Sequence, residues 1–268
     1  MAWKKMNNVL SPDLSSQLVE YIQKTGLNRG ESRHFNASGK LGFKTIKGGI
    51  LLREIIKQVM SFPELREFLK DYAVDHSFFL VKSSKGPATP WHQDRPFWLD
   101  KEDAPASLIT LWFALDEIDE NIGAILLPPS DSVDLLSEFN NDGLKLYIHN
   151  QETNVGALEG NFSYLVKDSR ADKKCESATP VIVKQGDVIA FDSYQLHASC
   201  GMSGEKSRYA FKIVLGHRNK LAVDSLPVTN FSDSSQTEYV AKIVLKVMTR
   251  KVRAGFKYVT NKMTKNRN

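Results

Sequence analysis

The hydrophobic period changes once along this chain, and that change constrains its fold more than any other feature. In the first third, apolar residues recur every three or four positions, the period of a helix that buries one face. Ser11-Pro12 opens the first such stretch, with Ser as N-cap and Pro in the first turn. Leu14, Leu18, Tyr21 and Ile22 then share a face, and Gly26 is the expected stop. A Gly-rich loop is expected over residues 38–49, a helix over 51–59, and another starting at Pro63 with Leu65, Phe68 and Leu69 on its apolar side. Further on, the apolar segments become short and rich in branched and aromatic residues, as strands are. They cover residues 77–83, 108–115, 124–127, 180–184, 187–191, 196–200 and 208–215, with Gly and polar turns between them. Such a series predicts a mainly β sandwich or barrel with flanking helices. The long irregular stretch over 130–179 reads as a lid or binding insertion.

The chain is long enough for this fold to stand on its own core. Its 268 residues, 41% apolar and 25% charged, suit a globular protein that needs no disulfide framework. Only Cys175 and Cys200 are present, without a C-x-x-C pair, and they read as incidental thiols. No signal-peptide core follows the N-terminus, and no apolar run approaches the roughly 18 residues of a membrane span. The expected compartment is a reducing cytoplasm.

The net charge of +5 is unevenly placed. Residues 239–268 hold nine Lys or Arg and no acidic residue, leaving 27 basic against 31 acidic residues in the body. Val240, Val244, Met248, Val252, Phe256, Val259 and Met263 form one apolar stripe there, so a basic amphipathic C-terminal helix is expected after a single domain over 1–238. That helix could dock on the body, meet an acidic carrier protein, or lie on an anionic membrane surface. Nucleic acid is not expected, because no base-reading motif accompanies the charge.

Three fragments carry chemistry. In Thr89-Pro90-Trp91-His92-Gln93-Asp94, an extended backbone points His92 and Asp94 to one side. Gly186-Asp187-Val188-Ile189-Ala190-Phe191 runs into Leu196-His197-Ala198-Ser199, which adds a second imidazole with Ser199 on the same face. Arg208 opens the next strand eleven residues after His197. Two neutral imidazoles and one carboxylate suit Fe(II) and leave positions open for co-substrate and O₂. An arginine nearby suits a carboxylate, which it holds with two charge-assisted hydrogen bonds. Each residue alone is more often a core or surface residue; the ordered set is the signal.

On these residues the chain resembles the phytanoyl-CoA dioxygenase family of Fe(II)/2-oxoglutarate-dependent oxygenases, over roughly residues 51–215. The resemblance also includes Leu80-Val81-Lys82, Leu111-Trp112-Phe113-Ala114-Leu115-Asp116, Glu120-Asn121-Ile122-Gly123 and Leu127-Pro128-Pro129-Ser130. It implies a double-stranded β-helix, the jelly roll of cupin-like proteins, with helices outside. It implies His92, Asp94 and His197 as iron ligands, Arg208 and Ser199 as contacts of 2-oxoglutarate, and Trp112 as a strand tryptophan beside that co-substrate. It further implies oxidative decarboxylation of 2-oxoglutarate by O₂ to succinate and CO₂, coupled to oxidation of a small-molecule substrate. Related halogenases carry Gly or Ala in place of the carboxylate, so Asp94 points to hydroxylation of an aliphatic carbon, or desaturation, in secondary-metabolite tailoring or on a lipid-like substrate.

Two departures stand out. Ile122 separates an Asn and a Gly that are contiguous in the family, and Pro128-Pro129-Ser130-Asp131 replaces Pro-Gly-Ser-His. Arg95 and Trp98, directly after the first two ligands, are the candidate substrate-binding residues. Tyr147 and His149 are candidates for closing over substrate, and His34, His76 and His217 read as structural. Lys82 reads as a strand residue leading to the site rather than a ligand. The rival readings are a non-catalytic jelly-roll binding protein and a desaturating oxidase docked to a carrier or membrane through the basic tail.

Overall fold

The computed structural model describes residues 3–25, 33–36, 46–94, 108–129, 149–151, 164–166, 168–217 and 226–228, together with Ser235, Glu238, Ala241 and Val244. In chain order the elements are β1 (Trp3–Met6), α1 (Pro12–Lys24), β2 (Arg33–Asn36), α2 (Ile46–Ser61), α3 (Pro63–Leu69), β3 (Tyr72–Lys82), β4 (Thr89–His92) and β5 (Leu108–Ala114). They continue with β6 (Ile125–Leu127), β7 (His149–Gln151), β8 (Tyr164–Val166), α4 (Asp172–Glu176), β9 (Thr179–Val181), β10 (Val188–Asp192), β11 (His197–Ser199), β12 (Arg208–His217) and β13 (Leu226–Pro227).

Two antiparallel sheets form the jelly-roll core. The major sheet has seven strands in the order β1-β10-β5-β12-β3-β13, with β2 also on β3; the minor sheet runs β4-β11-β6-β9. Alternation along each major strand sends one set of side chains outward and the other inward. The outward set, including Phe79, Leu111, Phe113, Phe211 and Ile213, packs under α1, α2 and α3. Phe79 and Phe211 pack at a tilt with ring centroids 4.9 Å apart, and Phe113 lies 6.2 Å from Phe211. Each fully buried ring of this kind contributes about 1.5–3 kcal/mol. The inward set, with Trp112, Ala114, Ile189, Phe191 and Ala210, meets Ile125, Leu127 and Val181 of the minor sheet. β5 is buried on both faces, which is why its sequence is an apolar run broken only by Thr110 and not an alternating one.

The helical reading of the first third holds at its capped start. Ser11 is the N-cap of α1, its hydroxyl accepting from the Leu14 N–H at 3.3 Å, with Pro12 in the first turn. The helix ends at Lys24, with Thr25 as C-cap; Gly26, the expected stop, lies outside the described residues. α2 starts at Ile46, so the last four residues of the expected 38–49 loop are helical. Burial of Leu51, Leu52, Ile55, Ile56 and Val59 outweighs the poor helix propensity of Gly48 and Gly49. Two strands in this third, β1 and β2, had no period to announce them; both are four-residue strands whose pairing with β10 and β3 supplies what their sequence lacks.

The expected insertion is not wholly irregular. β7 and β8 pair with each other, and a single 3₁₀ turn leads into α4. Ala171 and Leu196 form a small cluster with Trp91, Val166 and Cys175, which ties the end of the insertion to the outside of the minor sheet. Gly186, at the turn before β10, has φ +89°, and a Cβ there would meet the Leu10 carbonyl oxygen at 2.3 Å. Next to it the buried Asp187 accepts the Asn8 and Lys184 N–H groups, both at 2.9 Å, and so fastens the N-terminal segment to the sheet.

Glu238, Ala241 and Val244 are helical; the expected C-terminal helix over 239–268 otherwise lies outside the described residues. No helix among the described residues is long and apolar enough to cross a membrane.

Candidate functional site

The site lies between the two sheets, where inward-facing positions change from apolar to polar. β4 and β11 are antiparallel neighbours with His92 opposite His197, which brings the imidazole centroids to 4.1 Å. Asp94 follows β4 by two residues, and one ligand atom each of His92, Asp94 and His197 lies within 4.8 Å of the others. All three side chains are buried.

Hydrogen bonding settles which ring nitrogens face the site. His92 Nδ1 is 2.8 Å from the Pro90 carbonyl oxygen, and His197 Nδ1 is 2.9 Å from that of Gln195. A carbonyl can only accept, so each Nδ1 carries the proton and each Nε2 keeps its lone pair for the interior. Burial lowers the pKa of both imidazoles, His92 further through the charge of its neighbour His197, so both stay neutral near pH 7. For Asp94, burial alone would raise the pKa. The Lys212 ammonium, and after it the two imidazoles, outweigh that and hold the carboxyl well below the usual carboxylate range. Lys212 Nζ lies 2.6 Å from Asp94 Oδ2, and Thr110 Oγ1 donates to the same oxygen at 3.2 Å.

A second polar group lies further along the same inner face. Arg208 pairs with Lys82 across β12 and β3, and both are buried. The Arg208 guanidinium stands over the Trp112 ring, 5.4 Å from its centroid. Its Nε is buried with no hydrogen-bond partner among the described residues, which leaves donor capacity aimed at something else. Lys82 Nζ donates to Ser199 Oγ at 2.8 Å and to the Cys200 carbonyl oxygen at 2.6 Å. Burial, followed by the charge of Arg208, brings the Lys82 pKa down to about 7. Burial also lowers that of Arg208 to about 10, opposed by Asp116.

The structure therefore gathers six of the sequence-predicted residues: His92, Asp94 and His197 in one group, Arg208, Ser199 and Trp112 in the other. Arg95 and Trp98, proposed for substrate, lie outside the described residues, as does Tyr147; only the backbone of His149 is described. Lys82 and Lys212 are the residues sequence reasoning undervalued or missed. The signal for Lys212 was present, since Arg208, Ala210 and Lys212 alternate onto one face. Its partner Asp94, however, is 118 residues away. The inserted Ile122 is accommodated by a bridge to Met202, and Gly123 keeps the φ of +69° that its turn requires.

Comparison with known proteins gives the family and the fold. The family described as phytanoyl-CoA dioxygenase (PhyH) matches residues 23–210. No curated protein matches the chain. Among solved structures, EvdO2 from Micromonospora carbonacea var. aurantiaca is similar at 14% identity and a TM-score of 0.53, covering 85% of this chain and 91% of that one. SnoN, an α-ketoglutarate-dependent epimerase from nogalamycin biosynthesis solved with Fe³⁺ and α-ketoglutarate, gives 14% identity and 0.52, covering 80% and 78%. SnoK, a carbocyclase from the same biosynthesis, gives 17% and 0.51, covering 80% and 79%. At these identities the likeness is one of fold.

Proposed function

The chain belongs to the phytanoyl-CoA dioxygenase family, and from that premise we propose that His92, Asp94 and His197 hold the Fe(II) on which this oxygenase depends. The family's iron and 2-oxoglutarate dependence makes the chain an enzyme acting on a small molecule with O₂. One observation carries the residue assignment: two buried imidazoles with both Nδ1 protons committed to carbonyls converge with a buried carboxylate. The donor set of two nitrogens and one oxygen suits Fe(II) and leaves positions for other ligands.

Bound Fe(II), together with 2-oxoglutarate and O₂, supplies the oxidising power: 2-oxoglutarate loses CO₂ and becomes succinate, and a substrate C–H is oxidised. The chain's own residues bind and orient. Arg208, with its unmatched Nε and a Trp112 face behind it, takes the far carboxylate of 2-oxoglutarate. Ser199 and Lys82 add a hydroxyl and an ammonium to the same pocket. The apolar walls from Ile189, Phe191 and Ile125 exclude water around the polar groups.

The finer reading is hydroxylation of an aliphatic carbon by one oxygenase domain over residues 1–238, with the basic segment 239–268 as an appended helix. Arg95 and Trp98 remain the candidates for substrate contact.

The test is an anaerobic titration of the protein with Fe(II) and 2-oxoglutarate. The expected result is the weak visible charge-transfer band of a chelated keto acid, absent in His197→Ala. A folded wild-type protein without that band would overturn the assignment of the three ligands. Substrates found by O₂-dependent succinate release then test the finer reading. A product that gains one oxygen atom supports hydroxylation, whereas loss of two hydrogens or an unchanged mass overturns it.

A further inference from the structure

Asp94 is the least ordinary member of the cluster, because its two oxygens have different surroundings. Oδ2 takes the Lys212 ammonium at 2.6 Å and the Thr110 hydroxyl at 3.2 Å. Oδ1 faces His197 Nε2 at 4.0 Å. Thr110 comes from β5 and Lys212 from β12, which are hydrogen-bonded neighbours, with Val214 opposite Thr110 and Lys212 opposite Trp112. The two donors therefore ride on the central, doubly buried part of the major sheet, while Asp94 hangs from the minor one. The side chains of Lys212 and Asp94 are only 14% and 12% exposed, so water does not dissolve the pair.

We propose that Lys212, assisted by Thr110, is a positioning residue that holds one oxygen of Asp94 so that the carboxylate can offer only the other to the metal ion. This rests on the reading of His92, Asp94 and His197 as iron ligands. A carboxylate can grip a cation through one oxygen or through both. Gripping through both would use a position that the keto acid or O₂ needs. An ammonium and a hydroxyl already bonded to Oδ2 restrict Asp94 to the first mode. Partners of this kind orient metal ligands in general. Lys212 also repels a cation in the cluster, so its removal takes away an opposing charge while releasing the carboxylate. The two effects on metal binding oppose each other, whereas the effect on the keto acid has one sign.

The experiment compares wild type, Lys212→Met, Lys212→Arg and Thr110→Val as full-length proteins under anaerobic conditions. Fe(II) affinity is measured first, then 2-oxoglutarate affinity of the Fe(II)-loaded protein, with the charge-transfer band and Tm recorded for each. In Lys212→Met, Fe(II) affinity is expected within about threefold of wild type. 2-Oxoglutarate affinity is expected to fall about tenfold or more, the low end of the loss in metal affinity or activity that removing an outer partner causes. The band should shift or weaken, and Lys212→Arg should recover most of the loss. Unchanged 2-oxoglutarate affinity and band in Lys212→Met overturn the proposal. So does a parallel loss of Fe(II) and 2-oxoglutarate binding that tracks a lower Tm, the mark of a merely structural ion pair. Should Lys212→Met fail to fold, Thr110→Val decides: a smaller split of the same sign supports the clamp, and no split overturns it. A wild-type protein without the band fails the iron reading itself; a wild-type band with unaltered variants fails the clamp alone.

Discussion

The two faces of strand β12 teach different things. Facing the helices, Phe211 and Ile213 are fully buried among Phe79, Phe113 and Leu111. Facing the minor sheet, Arg208 and Lys212 alternate with those same residues and hold Trp112 and Asp94. One backbone thus carries apolar packing on one side and buried cations on the other. The outer face stabilises the sheet and lets the inner face keep groups that cost free energy to bury. Rigid strands under a packed outer layer hold the inner side chains where a site needs them.

Variants on each face should separate stability from chemistry. The largest effect is expected from His197→Ala, which should abolish the charge-transfer band and O₂-dependent succinate release while Tm shifts little; a large fall in Tm would show that the inner face also carries stability. Next comes Phe211→Ala, expected to cost about 3–5 kcal/mol in denaturant unfolding. Its band should survive at low temperature, and loss of the band in folded Phe211→Ala would break the separation of faces.

Arg208→Ala should weaken 2-oxoglutarate binding by about 10- to 100-fold, the worth of a lost charged hydrogen-bond pair. Fe(II) affinity should change much less, and calorimetric titration with each ligand checks both.

The smallest effect is a pH dependence from Lys82. Its pKa near 7 in the free protein means that a dianionic ligand binds best when Lys82 is protonated. As pH rises above 7, binding must take up a proton, so 2-oxoglutarate affinity should fall, by up to about tenfold per pH unit, until the pKa of the bound state is passed. Lys82→Met should flatten that slope. In folding the sign reverses. The free native state binds fewer protons on Lys82 than the unfolded chain between about pH 7 and its ordinary value of 10.5. Lys82 therefore adds stability as pH rises through that window, and denaturant titrations of wild type against Lys82→Met read the difference.

How far the sequence was legible depended on the distance over which each signal acts. The start of α1 was readable because its cap is local: Ser11 and Leu14 are three residues apart. The strands β5, β6 and β9 to β12 were readable because buried strands bias composition wherever they pair, whereas the short β7 and β8 were hidden in the stretch read as irregular. β1 and β2 were not, since four polar and apolar residues in a row become a strand only when β10 or β3 offers its edge. The same holds in the site. The spacing of two puts His92 and Asp94 on one side, and His197 and Ser199 likewise, although only the ordered set with Arg208 made a signal. For Lys212 the sequence gives only its face, through the alternation from Arg208; its partner is an oxygen 118 residues away.

The residue types by themselves determined the mainly β architecture, the imidazole–carboxylate set and the arginine that follows it, because periodicity, caps and two-residue spacing are properties of the local backbone. Only the tertiary structure decided which ring nitrogens face the interior, that Lys82 shares the Arg208 pocket, and that one oxygen of Asp94 is taken. Those facts depend on strands meeting in register, and on burial that strengthens the interaction of charges brought together from distant parts of the chain.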